Sequence, residues 1–151
     1  MGKILQYPDK ELRTKTEEIL FSDATLEERK GLDEAMREEM IKHKGIGIAA
    51  PQIGIMKRAA VILDSNSRHI SVANLKLTQL VDPYYAVEGC LSSKGRFFVV
   101  RRFKAVTAIY ADLLTGEKHK IRLAGVPAQI AQHEYDHLVG RTIEEFGKEI
   151  K

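Results

Sequence analysis

The segment from Val126 to Gly140 constrains this chain more than any other. Val126, Ile130, Ala131, His133, His137 and Leu138 recur on one face at helical spacing. Pro127 fits the first helical position, and Gly140 fits the residue just past the helix end. The apolar residues of that face need a core to pack against, and the same face carries His133-Glu134-Tyr135-Asp136-His137. Burying two imidazoles and a carboxylate is unfavourable unless each finds a partner. Residues four apart on a helix have Cβ atoms about 5–6 Å apart, so His133 and His137 can converge on one metal ion at about 2.0–2.1 Å each. Glu134 lies too far round to be a natural third ligand and falls where a general base reaches a water on that ion. The plainer alternative is a polar helix face bearing two surface histidines.

A catalytic metal site needs a third ligand and an open position. The residues after Gly140 offer Glu144, Glu145 and Glu149, the first two beside an expected chain reversal. The other source is Cys90, the only cysteine, in Glu88-Gly89-Cys90-Leu91-Ser92. A lone cysteine is ordinarily a small buried hydrophobe, but here Gly89 permits close backbone approach and Glu88 makes the segment unlike plain core. A third segment, Gly45-Ile46-Gly47-Ile48-Ala49-Ala50-Pro51-Gln52, superficially matches a dinucleotide-binding loop. That loop must follow a strand and open a helix, whereas this one follows a helix and stops at Pro51. It reads better as backbone brought close to a ligand, with the Gln52 amide as an oxyanion donor.

The rest of the chain supplies the frame. Its 151 residues fit one domain, 1–151, and 44% hydrophobic against 30% charged residues exclude a disordered chain. Residues 1–24 read as an irregular arm anchored by Ile4, Leu5 and Leu12. Thr25 and Glu28 form a capping-box pattern ahead of a helix carrying Leu32, Ala35, Met36 and Met40 to about Lys44, with Gly45 as its left-handed cap. Strands are expected at 58–63, 96–103, 106–110 and 119–123, the last two joined by a turn at 114–117. A helix, then strands, then a second helix reads as α+β: mixed or antiparallel sheets packed around a central C-terminal helix carrying HExxH, with an N-terminal helix. A net charge of +3 is too small to argue for DNA or other nucleic acid, and no apolar run approaches the roughly 20 residues that span a bilayer. The opening residues 1–6 lack a signal-peptide apolar block. One thiol forbids an internal disulfide and suits a reducing compartment, so a cytoplasmic location is expected. His43, His69 and His119 read as surface or turn residues. The basic pairs at 57–58 and 101–102 read as solvated charge, or as a weak attraction to ribosomal RNA.

Taken together and in this order, the three segments resemble the peptide deformylase family. Its motifs GxGxAAxQ, EGCLS and QHExDHLxG correspond here to Gly45–Gln52, Glu88–Ser92 and Gln132–Gly140, and Ile4–Asp9 is similar to the family's opening. The resemblance implies a ferrous ion held by Cys90, His133 and His137, with zinc, nickel or cobalt as alternatives. It implies removal of formate from the N-formyl-methionine of nascent peptides. Glu134 is then the general base, and the Leu91 N–H and Gln52 amide stabilise the oxyanion. Gly45, Ile46, Gly47, Glu88, Gly89, Arg102, Val126, Gln129 and Ile130 line or support the substrate site, with the methionine side chain near Ile46, Val126, Gln129 and Ile130 and an Arg102–Glu88 pair beneath. Two other functions use part of the same pattern: a zinc peptidase in which EGCLS is incidental, and a metal-stabilised, non-catalytic binding module.

The chain also departs from the family pattern. Ser93-Lys94 stand where an apolar residue and proline are usual, Asn74-Leu75 where Asn-Pro is usual, and Ala86 where larger apolar residues are common. Only 141–151 stand where many bacterial members carry a long helix that docks on the ribosome. A monomeric, bacterial or phage-encoded short form is therefore expected, an organellar precursor less so.

Overall fold

The computed structural model describes residues 3–151; the first two residues of the opening 1–6 segment lie outside the described residues. Thr25 caps α1 (Leu26–Lys42) as expected: its hydroxyl accepts from Glu28 N at 3.1 Å, and the Glu28 carboxylate accepts from Thr25 N at 2.9 Å. The helix end differs from expectation. Lys44, with φ 57°, takes the left-handed position, while Gly45 is needed for space, since an added Cβ there would lie 2.6 Å from Leu91 Cδ1.

Six strands follow: β1 (Ile48–Ala49), β2 (Ala59–Leu63), β3 (His69–Cys90), β4 (Ser93–Asp112), β5 (Lys118–Ala124) and β6 (Lys148–Ile150). They form one sheet in the order β1-β2-β3-β4-β5, with β6 on β4, and every pairing is antiparallel. The strands expected at 96–103 and 106–110 are parts of the single strand β4, and β3 was not anticipated at all. Its ladder slips between Ala73 and Lys76, between Thr78 and Val81, and between Glu88 and Cys90. Asn74, Gln79 and Asp82 have φ between 51° and 60°, and bulges of this kind disguise a long strand as turn-rich sequence. Asn74 is far from idle: its side-chain amide brackets the Ile19 backbone at 2.7 and 2.9 Å.

The helix α2 (Gly125–Leu138) begins two residues before Pro127, which is third in the helix rather than first. Gly140 is left-handed as expected, with φ 77°. The short α3 (Ile143–Phe146) precedes β6. All five residues of β2 are buried, because its two faces serve two cores. Ala60 and Ile62 pack with Val72, Leu75, Val106 and Leu123 against Ala128, Ile130, Ala131 and Leu138 of α2. Ala59 and Val61 pack on the other side with Ile48, Ala73 and Leu113 against Met36 and Met40 of α1. The sheet is thus a layer between the two helices, which fixes α2 against β2 and β4.

The N-terminal arm straps the site segments together. Leu5 N donates to Gln52 O at 2.7 Å, Tyr7 N to Ser92 O at 2.8 Å, and Thr16 N to Leu138 O at 2.9 Å. Ile4 and Leu12 are buried and Leu5 is half-buried. The basic pairs are not wholly solvated: Arg58 is buried and donates to Thr16 O at 3.2 Å, and Arg102 is buried beneath the site. Among the described residues no helix is long and apolar enough to cross a membrane.

Candidate functional site

The C-terminal end of β3 meets α2 beside the β1 segment. Three donor groups, one each from Cys90, His133 and His137, lie within 4.8 Å of one another. Cys90 Sγ is 3.4 Å from His137 Nε2, and the two imidazole rings are 5.2 Å apart at 62°. Two donors on a tetrahedral ion with ordinary metal–nitrogen and metal–sulfur bonds sit roughly 3.3–3.6 Å apart, so this spacing fits a metal. His133 Nδ1 faces Glu88 Oε1 at 2.8 Å, which leaves its Nε2 free for an ion and matches the carboxylate–histidine–metal arrangement. Among the described residues Glu144, Glu145 and Glu149 do not join that donor group, and Glu149 pairs instead with Arg96 at 2.9 Å, so Cys90 completes the set.

Glu88 is the hub of the support. Its carboxylate accepts two hydrogen bonds from Arg102, both 2.8 Å, and one from the Gln129 amide at 3.0 Å, besides the His133 contact. Arg102 reaches on to Asp136 Oδ2 at 2.6 Å. Burial pushes the Glu88 carboxyl up, but hydrogen bonds from Arg102 and His133 outweigh it and hold the group at about 2. Asp136, for which burial outweighs Arg102, sits above the ordinary range. With His133 neutral, as a metal ligand must be, two buried carboxylates against one guanidinium leave this cluster one negative charge in excess, a second reason that a divalent cation fits. The expected Arg102–Glu88 pair is present; Asp136 as its third member had no sequence signal beyond its place inside the motif. The polarity of Gln129 is used the same way, to hold Glu88.

Glu134 is buried and its Oε1 has no hydrogen-bond partner. Burial raises its carboxyl to about 7, against the opposing pull of His133. Gly47 makes room for it: a Cβ there would lie 2.9 Å from both Glu134 Oε2 and Ile130 Cγ2, and 3.2 Å from Val61 O. Gln52 is held at both ends of its amide. Its Oε1 accepts from Ala49 N at 2.9 Å, and its Nε2 lies 3.1 Å from Ser92 Oγ and 3.7 Å from Cys90 Sγ. Ser92, buried between them, was not singled out by sequence.

A cleft of about 700 Å³ opens over these groups. Gly45, Ile46, Gly47, Gln52, Glu88, Gly89, Cys90, Leu91, Val126, Gln129, Ile130, His133 and Glu134 line it, together with the unanticipated His43, Val87, Phe97 and Arg96. Arg102 and His137 lie behind its wall. Ile130 is buried, whereas Ile46 and Val126 are 60% and 57% exposed and frame the mouth. Gly89 approaches Phe97, whose Cε1 would lie 3.2 Å from an added Cβ.

The chain matches the polypeptide deformylase family model over residues 1–149. It is 36% identical over 138 residues to peptide deformylase of Endomicrobium trichonymphae, covering 90% of this chain and 80% of that protein. It is 38% identical over 143 residues to the chloroplastic/mitochondrial peptide deformylase 1B of Arabidopsis thaliana, where it covers 91% of itself but spans only 51% of the plant protein. The crystal structure of peptide deformylase from Thermus thermophilus superposes with a TM-score of 0.86 at 34% identity, over 96% of this chain and 84% of that one. With three motif segments brought to one cleft and a family match running nearly end to end, the chain belongs to the polypeptide deformylase family.

Proposed function

We propose that the chain removes the formyl group from N-formyl-methionine at the start of nascent polypeptides and releases formate. The observation that carries this is the convergence of Cys90, His133 and His137 beside a buried, unpartnered Glu134. A divalent ion held by those three residues supplies Lewis acidity and lowers the pKa of water at the site. Glu134, near neutrality at about 7, takes the proton of the attacking water and returns it to the leaving amine, as suits a general acid–base residue at working pH. The Gln52 amide, clamped so that Nε2 faces the Cys90 side, and the Leu91 N–H stabilise the oxygen on which charge develops. Ile130 floors the methionine pocket, with Ile46 and Val126 at its edges and Gln129 at its polar side. The thiolate ligand favours ferrous iron over a purely nitrogen and oxygen set, with zinc, nickel or cobalt as substitutes, and demands a reducing compartment such as the cytoplasm. The chain acts as a monomer.

Anaerobic metal analysis coupled to formate release from formyl-Met-Ala-Ser tests this. Formate appears with the peptide bonds intact, and Glu134→Gln lowers kcat by ~10²–10⁴-fold, the usual range for one acid–base group, while retaining the metal. Cleavage between residues favours a zinc peptidase instead, and unaltered function in Glu134→Gln favours a binding module.

A further inference from the structure

Lys44 occupies a position at the end of α1 that ordinarily belongs to glycine. The helix closes with the two hydrogen bonds of a Schellman motif, Lys44 N to Ile41 O at 3.1 Å and Gly45 N to Met40 O at 2.8 Å. Lys44 sits in its left-handed place with φ 57°, a conformation that costs a residue with a Cβ. The helix dipole favours a cation at this end, but Lys42 already supplies one in the last turn without strain. The Lys44 side chain is exposed at the cleft mouth, as is Lys94 at the start of β4. Neither has an ion-pair partner among the described residues, whereas the neighbouring Arg96 is neutralised by Glu149 through contacts of 2.9 and 3.0 Å. The two carboxylates that line the cleft, Glu88 and Glu134, are both buried. The mouth therefore carries two uncompensated positive charges and no exposed negative one.

We propose that Lys44 and Lys94 select, among formylated nascent chains, those with acidic side chains in the first few residues after methionine. This rests on the deformylase reading above. An extended peptide advances about 3.3 Å per residue, and a cleft of about 700 Å³ holds more than formyl-methionine alone, so the second or third residue after methionine reaches the mouth.

The test uses formyl-Met-Ala-Glu, formyl-Met-Ala-Ser and formyl-Met-Ala-Lys as C-terminal amides with the metal-loaded enzyme, reading formate release. The Glu peptide exceeds the Lys peptide ~5–10-fold in kcat/KM at low salt, chiefly through KM, as two screened surface charges allow. The ratio falls below ~2-fold near 1 M salt, where the screening length is about 3 Å. The double variant Lys44→Glu, Lys94→Glu reverses the order. Lys44→Gly lowers the Glu-to-Lys ratio yet raises the melting temperature by relieving the strained backbone. Equal turnover of the Glu and Lys peptides, with the Ser peptide deformylated, overturns the selection while leaving the deformylase reading intact. Formate from none of the three overturns that reading itself. A lower melting temperature in Lys44→Gly overturns the part assigned to Lys44, because the lysine would then be serving the helix.

Discussion

Arg102→Met isolates the electrostatic frame of the site. Arg102 is 3% exposed and bridges Glu88 and Asp136, themselves 6% exposed, through three hydrogen bonds of 2.6–2.8 Å. Methionine keeps much of the volume but removes the guanidinium that two buried carboxylates share, leaving Asp136 only the exposed Arg141 at 3.7 Å. Removing one member of a buried, hydrogen-bonded ion pair costs about 3–5 kcal/mol, because its partner is left charged and desolvated. Native domains of this size carry roughly 5–15 kcal/mol in total, so this single change consumes about a fifth or more of it. At about 2–4 °C per kcal/mol for a chain of this length, the melting temperature falls by roughly 6–20 °C. Glu88 also orients His133, so metal affinity drops about 10–100-fold. Urea unfolding of the metal-loaded protein measures the first effect and competition with a chelator the second. A triple variant, Glu88→Gln, Arg102→Met and Asp136→Asn, removes the stranded charges along with the cation and regains most of the lost stability. Stability of Arg102→Met within ~1 kcal/mol of the parent, the scale of an exposed pair, would refute the reasoning that this triad is a buried charge frame.

The other expectations concern single positions. Gly47→Ala abolishes most activity because its Cβ would meet Glu134 Oε2, Ile130 Cγ2 and the rigid Val61 carbonyl within 3.2 Å, whereas Gly45→Ala is mild because the only atom within 3 Å is the terminal Cδ1 of Leu91; kcat/KM of the two variants gives the contrast. Cys90→Ser weakens the metal site, since a hydroxyl is a poor replacement for a thiolate, and metal content after dialysis measures it. Burial raises the Glu144 carboxyl above its usual value. Its proton therefore favours the folded state, and the stabilisation is present below the unfolded pKa and lost as pH rises through the folded one. Glu144→Gln consequently stabilises the protein at pH 7 but not at pH 4, as melting curves at the two values should record.

Local rules expressed themselves where contacts are local. Thr25 and Glu28 close a capping box within one turn, and Gly140 ends α2 beside Thr14, whose carbonyl carbon lies 2.8 Å from where a Cβ would sit. The two histidine ligands were legible because helical spacing sets His133 against His137, whereas Cys90 stood beside Glu144, Glu145 and Glu149 as a candidate until the resemblance of Glu88–Ser92 to a family motif implied it. β3 was not legible. Three register slips within 22 residues, the first two at left-handed Asn74 and Gln79, break the period-two alternation from which strands are read. Lys44 in place of Gly45 as the left-handed residue escaped for the opposite reason. Propensity favours glycine, and only the crowding of Gly45 against Leu91 shows that the glycine is spent on space rather than on backbone freedom. Arg58 looked like surface charge because its partner, the Thr16 backbone, comes from a strap 42 residues away.

The distribution of satisfied and unsatisfied groups separates what holds the site from what reacts in it. Every group of the Glu88 hub has partners: Arg102, His133 and Gln129 converge on one carboxylate, and Arg102 is shared with Asp136. Beside this frame, Glu134 Oε1 and His137 Nδ1 are buried without hydrogen bonds, an arrangement that is costly in low dielectric. Strain of another kind sits at Lys44, at the mouth of the same cleft. Departures from local rules also occur in the scaffold, at left-handed Asn74, Gln79 and Asp82 and at buried carboxylate oxygens of Glu39 and Glu144. Among the described residues only Glu134 combines an unpartnered buried carboxylate with a place in the cleft beside the ligand set. A buried carboxylate that makes no hydrogen bond contributes little to holding the fold, and so remains available to exchange a proton. Substitutions at Glu88, Arg102 and Asp136 should accordingly be read first in unfolding free energy, and those at Glu134 and Gln52 first in kcat.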